Sequence, residues 1–190
     1  MPKVAVIVGS LSKGSQNRRF AQALAKLAKG RLDLELVEIG DLPLYDYELE
    51  ADLPAAVKRY KAQVAGADAV LFVTPEYLRS IPAALKNALE WGARPYGTNS
   101  FAGKPAGIAG VTPGAIGTAV AQAQLRSIAP VLELIVLSQP ELYIQLRQDH
   151  INDKGEFADD GMKKLLNGWV DKFADWIERV GVKQSLALAS

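Results

Sequence analysis

Val4-Ala5-Val6-Ile7-Val8-Gly9-Ser10-Leu11-Ser12-Lys13-Gly14-Ser15 sets the reading of the whole chain. Five consecutive apolar residues, most of them β-branched, describe a strand covered on both faces rather than one with a wet side. A short glycine-bearing turn follows. Ser15 then serves as an N-cap for a helix whose core face is Phe20, Leu24 and Leu27, and Gly30 ends it.

Downstream, strands and helices keep alternating. Leu32-Asp33-Leu34-Glu35-Leu36 alternates strictly, as expected of a strand at a sheet edge. A Pro/Asp/Tyr-rich loop from Gly40 to Leu53 leads to a helix begun by Pro54 and carrying Val57, Tyr60 and Val64 on one side. Ala69 to Val73 reads as a second fully buried strand, and Pro82 as the first residue of a helix reaching Trp91. Lys104 to Val111 is expected to be a fourth strand, Gly117 to about Ala129 a helix that ends or bends at Pro130, and Leu134 to Leu137 a fifth strand. After a polar stretch from Gln139 to Asp160 comes a last amphipathic helix with Leu165, Leu166, Trp169, Phe173, Trp176 and Ile177. The expected domain spans residues 1–182, with 183–190 a loose tail. Such alternation predicts a doubly wound α/β fold: a five-stranded parallel sheet of order 2-1-3-4-5, as in flavodoxin, with helices on both faces.

Composition narrows the function. The 190 residues hold 22 Lys+Arg against 21 Asp+Glu, one histidine, no cysteine and 49% apolar residues. Without cysteine there is no disulfide, iron–sulfur cluster, thiolate zinc site or cysteine nucleophile, and one histidine forbids a multi-histidine metal centre. No metal site is expected. A formal charge of +1 gives no general attraction to nucleic acid or anionic membrane. The first apolar run is too short for a signal-peptide core and no stretch is long enough to span a bilayer, so a cytoplasmic location is expected.

In sheets of this order ligands bind beyond the carboxyl ends of the strands, where the order reverses. Three loops lie there: Gly9 to Asn17, Pro75 to Ser80, and Thr112 to Gly117. The first joins a strand to a helix N-terminus, where unpaired N–H groups and the helix dipole converge on an anion, and its serines add short donors. Gly14-Ser15 lacks the lysine of a P-loop, and there is no G-x-G-x-x-G. The loop therefore suits a lone phosphate monoester, or else is simply a capped helix behind a solvated turn. Two prolines bracket Glu76, Tyr77, Leu78 and Arg79, presetting a loop that either lines a flat heterocycle or caps the core. In the third loop Gly114 and Gly117 let backbone approach a ligand closely.

Taken together, Gly9-Ser10-Leu11 with Ser15-x-Asn17-Arg18, Pro75-Glu76-Tyr77 with Ser80-x-Pro82, Leu85-Lys86-Asn87-Ala88, Gly103-Lys104-Pro105 and Pro113-Gly114-Ala115-Ile116-Gly117 resemble the NADPH-dependent FMN reductases, which include the bacterial quinone and chromate reductases. The resemblance implies noncovalent FMN, NADPH or NADH as reductant, and a homodimer or homotetramer. By position, Ser10, Ser12, Ser15, Gln16 and Asn17 would hold the FMN phosphate. Pro75, Glu76, Tyr77 and Leu78 would run along the isoalloxazine, with Thr112, Pro113 and Gly114 on its other flank. Two residues depart from the family: many relatives have arginine where this chain has Ser12, and asparagine where it has Leu78. Losing a charge-assisted phosphate contact would weaken FMN by about 1.5–3 kcal/mol unless Lys13 compensates.

The implied activity is a ping-pong, two-electron reduction of quinones or similar acceptors such as chromate, azo compounds or flavins, with the chemistry on FMN and no catalytic side chain. Tyr77, Arg79 and Arg94 are the candidates to touch substrate, the two arginines through NADPH phosphates or an anionic acceptor. Arg94 precedes Pro95-Tyr96 on a loop that would extend toward a neighbouring subunit; its alternative is an ordinary ion pair. His150 has no G-x-S-x-G nucleophile to serve and reads as a surface residue. Two other readings stand beside the enzyme: a non-catalytic flavodoxin-like electron carrier and a cofactor-free regulatory α/β domain.

Overall fold

The computed structural model describes residues 1–188, with side chains through Gly181. Parallel strands β1 (Lys3–Val8), β2 (Asp33–Val37), β3 (Ala69–Val73), β4 (Pro105–Thr112) and β5 (Ile135–Val136) run in the order β2-β1-β3-β4-β5. Helices α1 (Gln16–Leu27) and α5 (Asp160–Leu188) cover one face; α2 (Ala55–Ala65), α3 (Ala83–Ala93) and α4 (Ala119–Ile128) cover the other. The apolar run of β1 explains the arrangement. Val4, Val6 and Val8 pack with Phe20, Leu24, Trp169 and Phe173, whereas Ala5 and Ile7 enter the second core with Tyr60, Phe72 and Trp91. Strand alternation thus splits one continuous apolar segment between two cores.

Local signals are realised closely. Ser15 caps α1 by accepting the Arg18 N–H at 3.1 Å. β2 lies at the sheet edge and buries Leu34 and Val37. Pro82 is the N-cap residue rather than the first helical one, so α3 starts at Ala83. α4 ends at Ile128, and Pro130 lies in a tighter 3-10 turn over Ala129–Leu132.

The far edge differs from expectation. The fifth strand is only Ile135–Val136, beside Pro105 and Ala106, and a sixth, β6 (Leu142–Gln145), pairs the other half of β4 from Ala109 to Thr112. A six-stranded sheet replaces the five-stranded one because Pro140 has no N–H to give a ladder and interrupts the edge. Two tryptophans of α5 take carbonyls around the break: Trp169 donates to Pro140 O at 3.1 Å and Trp176 to Ile135 O at 2.8 Å. These aromatics are packing residues, as the helical spacing implied. The expected loose tail at 183–190 falls outside the described side chains and, for 189–190, outside the described residues.

Candidate active site

At the carboxyl edge of β1, β3 and β4 the three loops meet around a cleft of about 250 Å³, lined among others by Ser10, Ser12, Ser15, Glu76, Tyr77 and Thr112. Gln16, Asn17, Pro75 and Pro113 complete the expected set in that lining; Leu78, Arg79, Gly114 and Arg94 are outside it. Ser10 Oγ and Tyr77 OH lie 3.4 Å apart and close the gap between the first two loops.

On the anion side the cradle has donors and, among the described residues, no cation. The N–H groups of Gln16 and Asn17 open α1 and have no partner within the helix. Arg18 turns away to a bidentate pair with Glu38 at 2.6 and 2.8 Å, Arg19 donates to the Ile151 carbonyl, and Lys13 is exposed outside the cleft lining. Asn17 has a different task from the one its position implied. Its buried amide donates to Val111 O and accepts from Val111 N, both at 3.0 Å, tying α1 to the end of β4. What it offers an anion is its backbone N–H.

Glu76 likewise spends its side chain on the fold. One carboxylate oxygen accepts from Val120 N at 3.0 Å and Ala121 N at 3.1 Å, capping α4 from outside the helix. Thr118, in the left-handed region at φ 64 and buried, gives the helix no side-chain cap of its own. Glu76 therefore holds the second and third loops in register. Replacing Glu76 by alanine should cost about 2–3 kcal/mol, because two N–H groups lose a charged acceptor. Urea unfolding of the apoprotein measures this, and Glu76→Gln, which keeps an acceptor oxygen, should recover most of the loss.

From Tyr77 to Ser80 the chain makes a two-residue turn closed by reciprocal bonds, Tyr77 N to Ser80 O and Ser80 N to Tyr77 O, both 3.0 Å. Its central residues, Leu78 (φ 51) and Arg79 (φ 61), are both left-handed, as a type I′ turn requires. Neither is glycine, asparagine or aspartate, and each costs on the order of 1–2 kcal/mol in that region. Gln124 of α4 pins the turn: it accepts from Ser80 Oγ at 2.8 Å and Ile81 N at 3.3 Å and donates to Arg79 O at 3.2 Å. Gln145 of β6 steadies the third loop by donating to Pro113 O at 2.9 Å. Sequence reasoning missed both glutamines. The alternating Leu142-Tyr143-Ile144-Gln145 inside the polar stretch was the signal available for β6.

Arg94 is not brought to this cleft. It lies at the far end of α3, where Nε and Nη2 meet the Glu50 carboxylate at 2.6 and 3.2 Å and the guanidinium sits 5.8 Å from the Tyr47 ring centre. The Arg94 hydrogen bond, then that of Tyr45, hold the Glu50 carboxyl below its ordinary range. Asn87 and Trp91 dock the same loop by donating to Pro43 O at 2.9 and 2.8 Å, which explains the Leu-Lys-Asn-Ala segment structurally. His150 accepts from Arg147 N at 3.4 Å within its own turn, away from the cleft lining.

Several known proteins are closely similar to this chain. The family model of the NADPH-dependent FMN reductases matches residues 2–149. A 2-hydroxy-1,4-benzoquinone reductase from Burkholderia sp is 43% identical over 175 residues, covering 92% of this chain and 96% of its own. A quinone reductase from Pseudomonas putida is 46% identical over 176 residues, 92% and 94% of the two chains. The solved structure of FerB, a flavoenzyme NAD(P)H:(acceptor) oxidoreductase from Paracoccus denitrificans, superposes with a TM-score of 0.91 at 47% identity, over 94% of this chain and 98% of that one. With the family model matched along most of its length and with relatives this similar end to end, the chain belongs to the NADPH-dependent FMN reductase family.

Proposed function

We propose that this protein is an FMN-dependent NAD(P)H oxidoreductase that reduces quinones by two electrons in a ping-pong cycle. One observation carries the reading: a serine-lined helix N-terminus and a half-exposed tyrosine, 3.4 Å apart through Ser10 and Tyr77, face the same cleft at the switch point of the sheet. Hydroxyls and backbone N–H groups suit a phosphate monoester; Tyr77 and the flanking Pro75 and Pro113 suit a flat ring. At about 250 Å³ the cleft is below the roughly 300–1,000 Å³ of a site enclosing a whole drug-sized ligand, which fits a phosphate end held inside and a ring left open at the mouth. The names of the relatives, quinone reductases and an NAD(P)H:(acceptor) oxidoreductase, agree with that reading.

When bound, FMN supplies the redox chemistry, taking hydride from NAD(P)H and passing two electrons to the acceptor. The chain's own part is binding and placement. Ser10, Ser12 and Ser15 with the N–H groups of Gln16 and Asn17 would hold the phosphate, Tyr77 and the backbone of residues 75–78 would support the ring, and Thr112, Pro113 and Gly114 would flank it. Arg79, exposed and 3.8 Å from Glu76, would meet the phosphates of NADPH. The working form is a homodimer or homotetramer, in which Arg94, paired with Glu50, would reach a neighbouring subunit's site. No helix among the described residues is long and apolar enough to cross a membrane, and the reading places the enzyme in the cytoplasm with its reductant.

An anaerobic visible spectrum of FMN-loaded protein tests the proposal. The flavin band should bleach on NADPH addition and return when a quinone is supplied. FMN that binds without bleaching supports the electron-carrier alternative, and protein that takes up no FMN supports the cofactor-free one.

A further inference from the structure

We propose that Leu78 determines acceptor preference, favouring quinones that carry an apolar substituent over compact polar acceptors; this rests on the flavin reading of the cleft given above. Leu78 is fully exposed, with 100% of its surface in contact with solvent, so it contributes nothing to either core. It nevertheless occupies a left-handed conformation that leucine rarely adopts, next to a second such residue, Arg79. A bulky side chain held in strain without burial is a feature of sites rather than of scaffolds.

The turn has little freedom to shed the strain. The reciprocal Tyr77–Ser80 bonds close it, and Gln124 holds Arg79, Ser80 and Ile81 from α4. The residue immediately before Leu78 lines the cleft, since Tyr77 lies against Ser10. Leu78 is thus carried rigidly beside the cleft, outside its lining and one position beyond the tyrosine that faces it. Exposed apolar side chains also occur on the other two loops at this end of the sheet, Leu11 at 53% and Ile116 at 43% exposure. An acceptor bound over Tyr77 would lie one residue from the exposed Leu78 side chain. A ring substituent of similar character removes that surface from water and is rewarded, whereas a small polar acceptor gains nothing from it.

The experiment compares FMN-loaded wild type, Leu78→Asn and Leu78→Met in the reduction of 1,4-benzoquinone and of its decyl-substituted counterpart by NADPH. In Leu78→Asn the ratio of kcat/KM for the decyl compound over the unsubstituted one should fall about tenfold, through KM, and Leu78→Met should restore it. Tenfold corresponds to about 1.4 kcal/mol, within what burial of part of a leucine supplies. An unchanged ratio, or equal losses with both quinones, overturns the proposal. So does a shift in sedimentation of Leu78→Asn with both quinones slowed alike, which would assign Leu78 to a subunit contact. FMN titration separates the two levels: wild type that takes up no FMN removes the flavin reading itself, whereas wild type that binds FMN beside a Leu78→Asn variant with an unaltered ratio removes only the role of Leu78.

Discussion

Ser12→Arg is expected to tighten FMN binding ten- to a hundredfold. Among the described residues no cation lines the cleft; its only charged lining residue is Glu76. The two arginines nearest in sequence are committed elsewhere, Arg18 to Glu38 and Arg19 to the Ile151 carbonyl, and Lys13 is exposed outside the lining. An arginine at 12 would start from an exposed position on the cleft's rim and need displace no core residue. The capping contact of Ser15 with Arg18 N and the backbone bond from Ser15 N to Ser12 O do not involve the Ser12 side chain, so α1 keeps its start. A charge-assisted bond to phosphate is worth about 1.5–3 kcal/mol, which is one to two decades in affinity. Titration of apoprotein with FMN, followed by quenching of flavin fluorescence, measures it, and the gain should shrink as salt is raised. An affinity that does not move would mean the phosphate sits elsewhere.

Gly110→Ala is expected to be strongly destabilising, costing about 3 kcal/mol or more. A Cβ at this position would overlap Thr118 Oγ1 and the carbonyl oxygen of Thr74. Neither can yield easily. Thr74 donates its N–H to Ala109 O at 3.0 Å in the ladder between β3 and β4, and Thr118 Oγ1 accepts from Gln122 Nε2 at 3.0 Å in a fully buried position. Both neighbours lead into site loops, Thr74 into the second and Thr118 out of the third, so FMN affinity should fall together with stability. For a chain of this length the midpoint of thermal unfolding should drop by roughly 6–12 °C. Gly114→Ala is the control: its Cβ would meet only Thr112 Oγ1, at an ordinary 3.7 Å, and should cost little. Similar losses in both variants would mean that crowding at Gly110 is not the cause.

The two glutamines, the Glu76 cap and the Asn17 bridge share one property: each joins segments far apart in the chain. Asn17 meets Val111 across 94 positions, Glu76 meets Val120 across 44, and Gln124 meets Ser80 across 44. Position within the motifs had assigned Asn17 and Glu76 to the ligand. The fold uses their side chains to hold the loops that form the cleft, and leaves Ser10, Ser12, Ser15 and Tyr77 facing it. The sixth strand escaped notice for a related reason. Four residues of alternating pattern in a polar stretch are too short to be read without the edge of β4 they complete.

Residues close in sequence were enough for the order β2-β1-β3-β4-β5, for the Ser15 cap and for the three loops at the switch point. Apolar period, caps and turns depend on neighbours within a few positions and can be read from the chain directly. Which polar side chains line the cleft and which are consumed in holding the loops is decided only in three dimensions. A carboxylate or amide takes whichever buried N–H or carbonyl the packed helices and strands leave unsatisfied beside it, and that partner exists only once the sheet has closed.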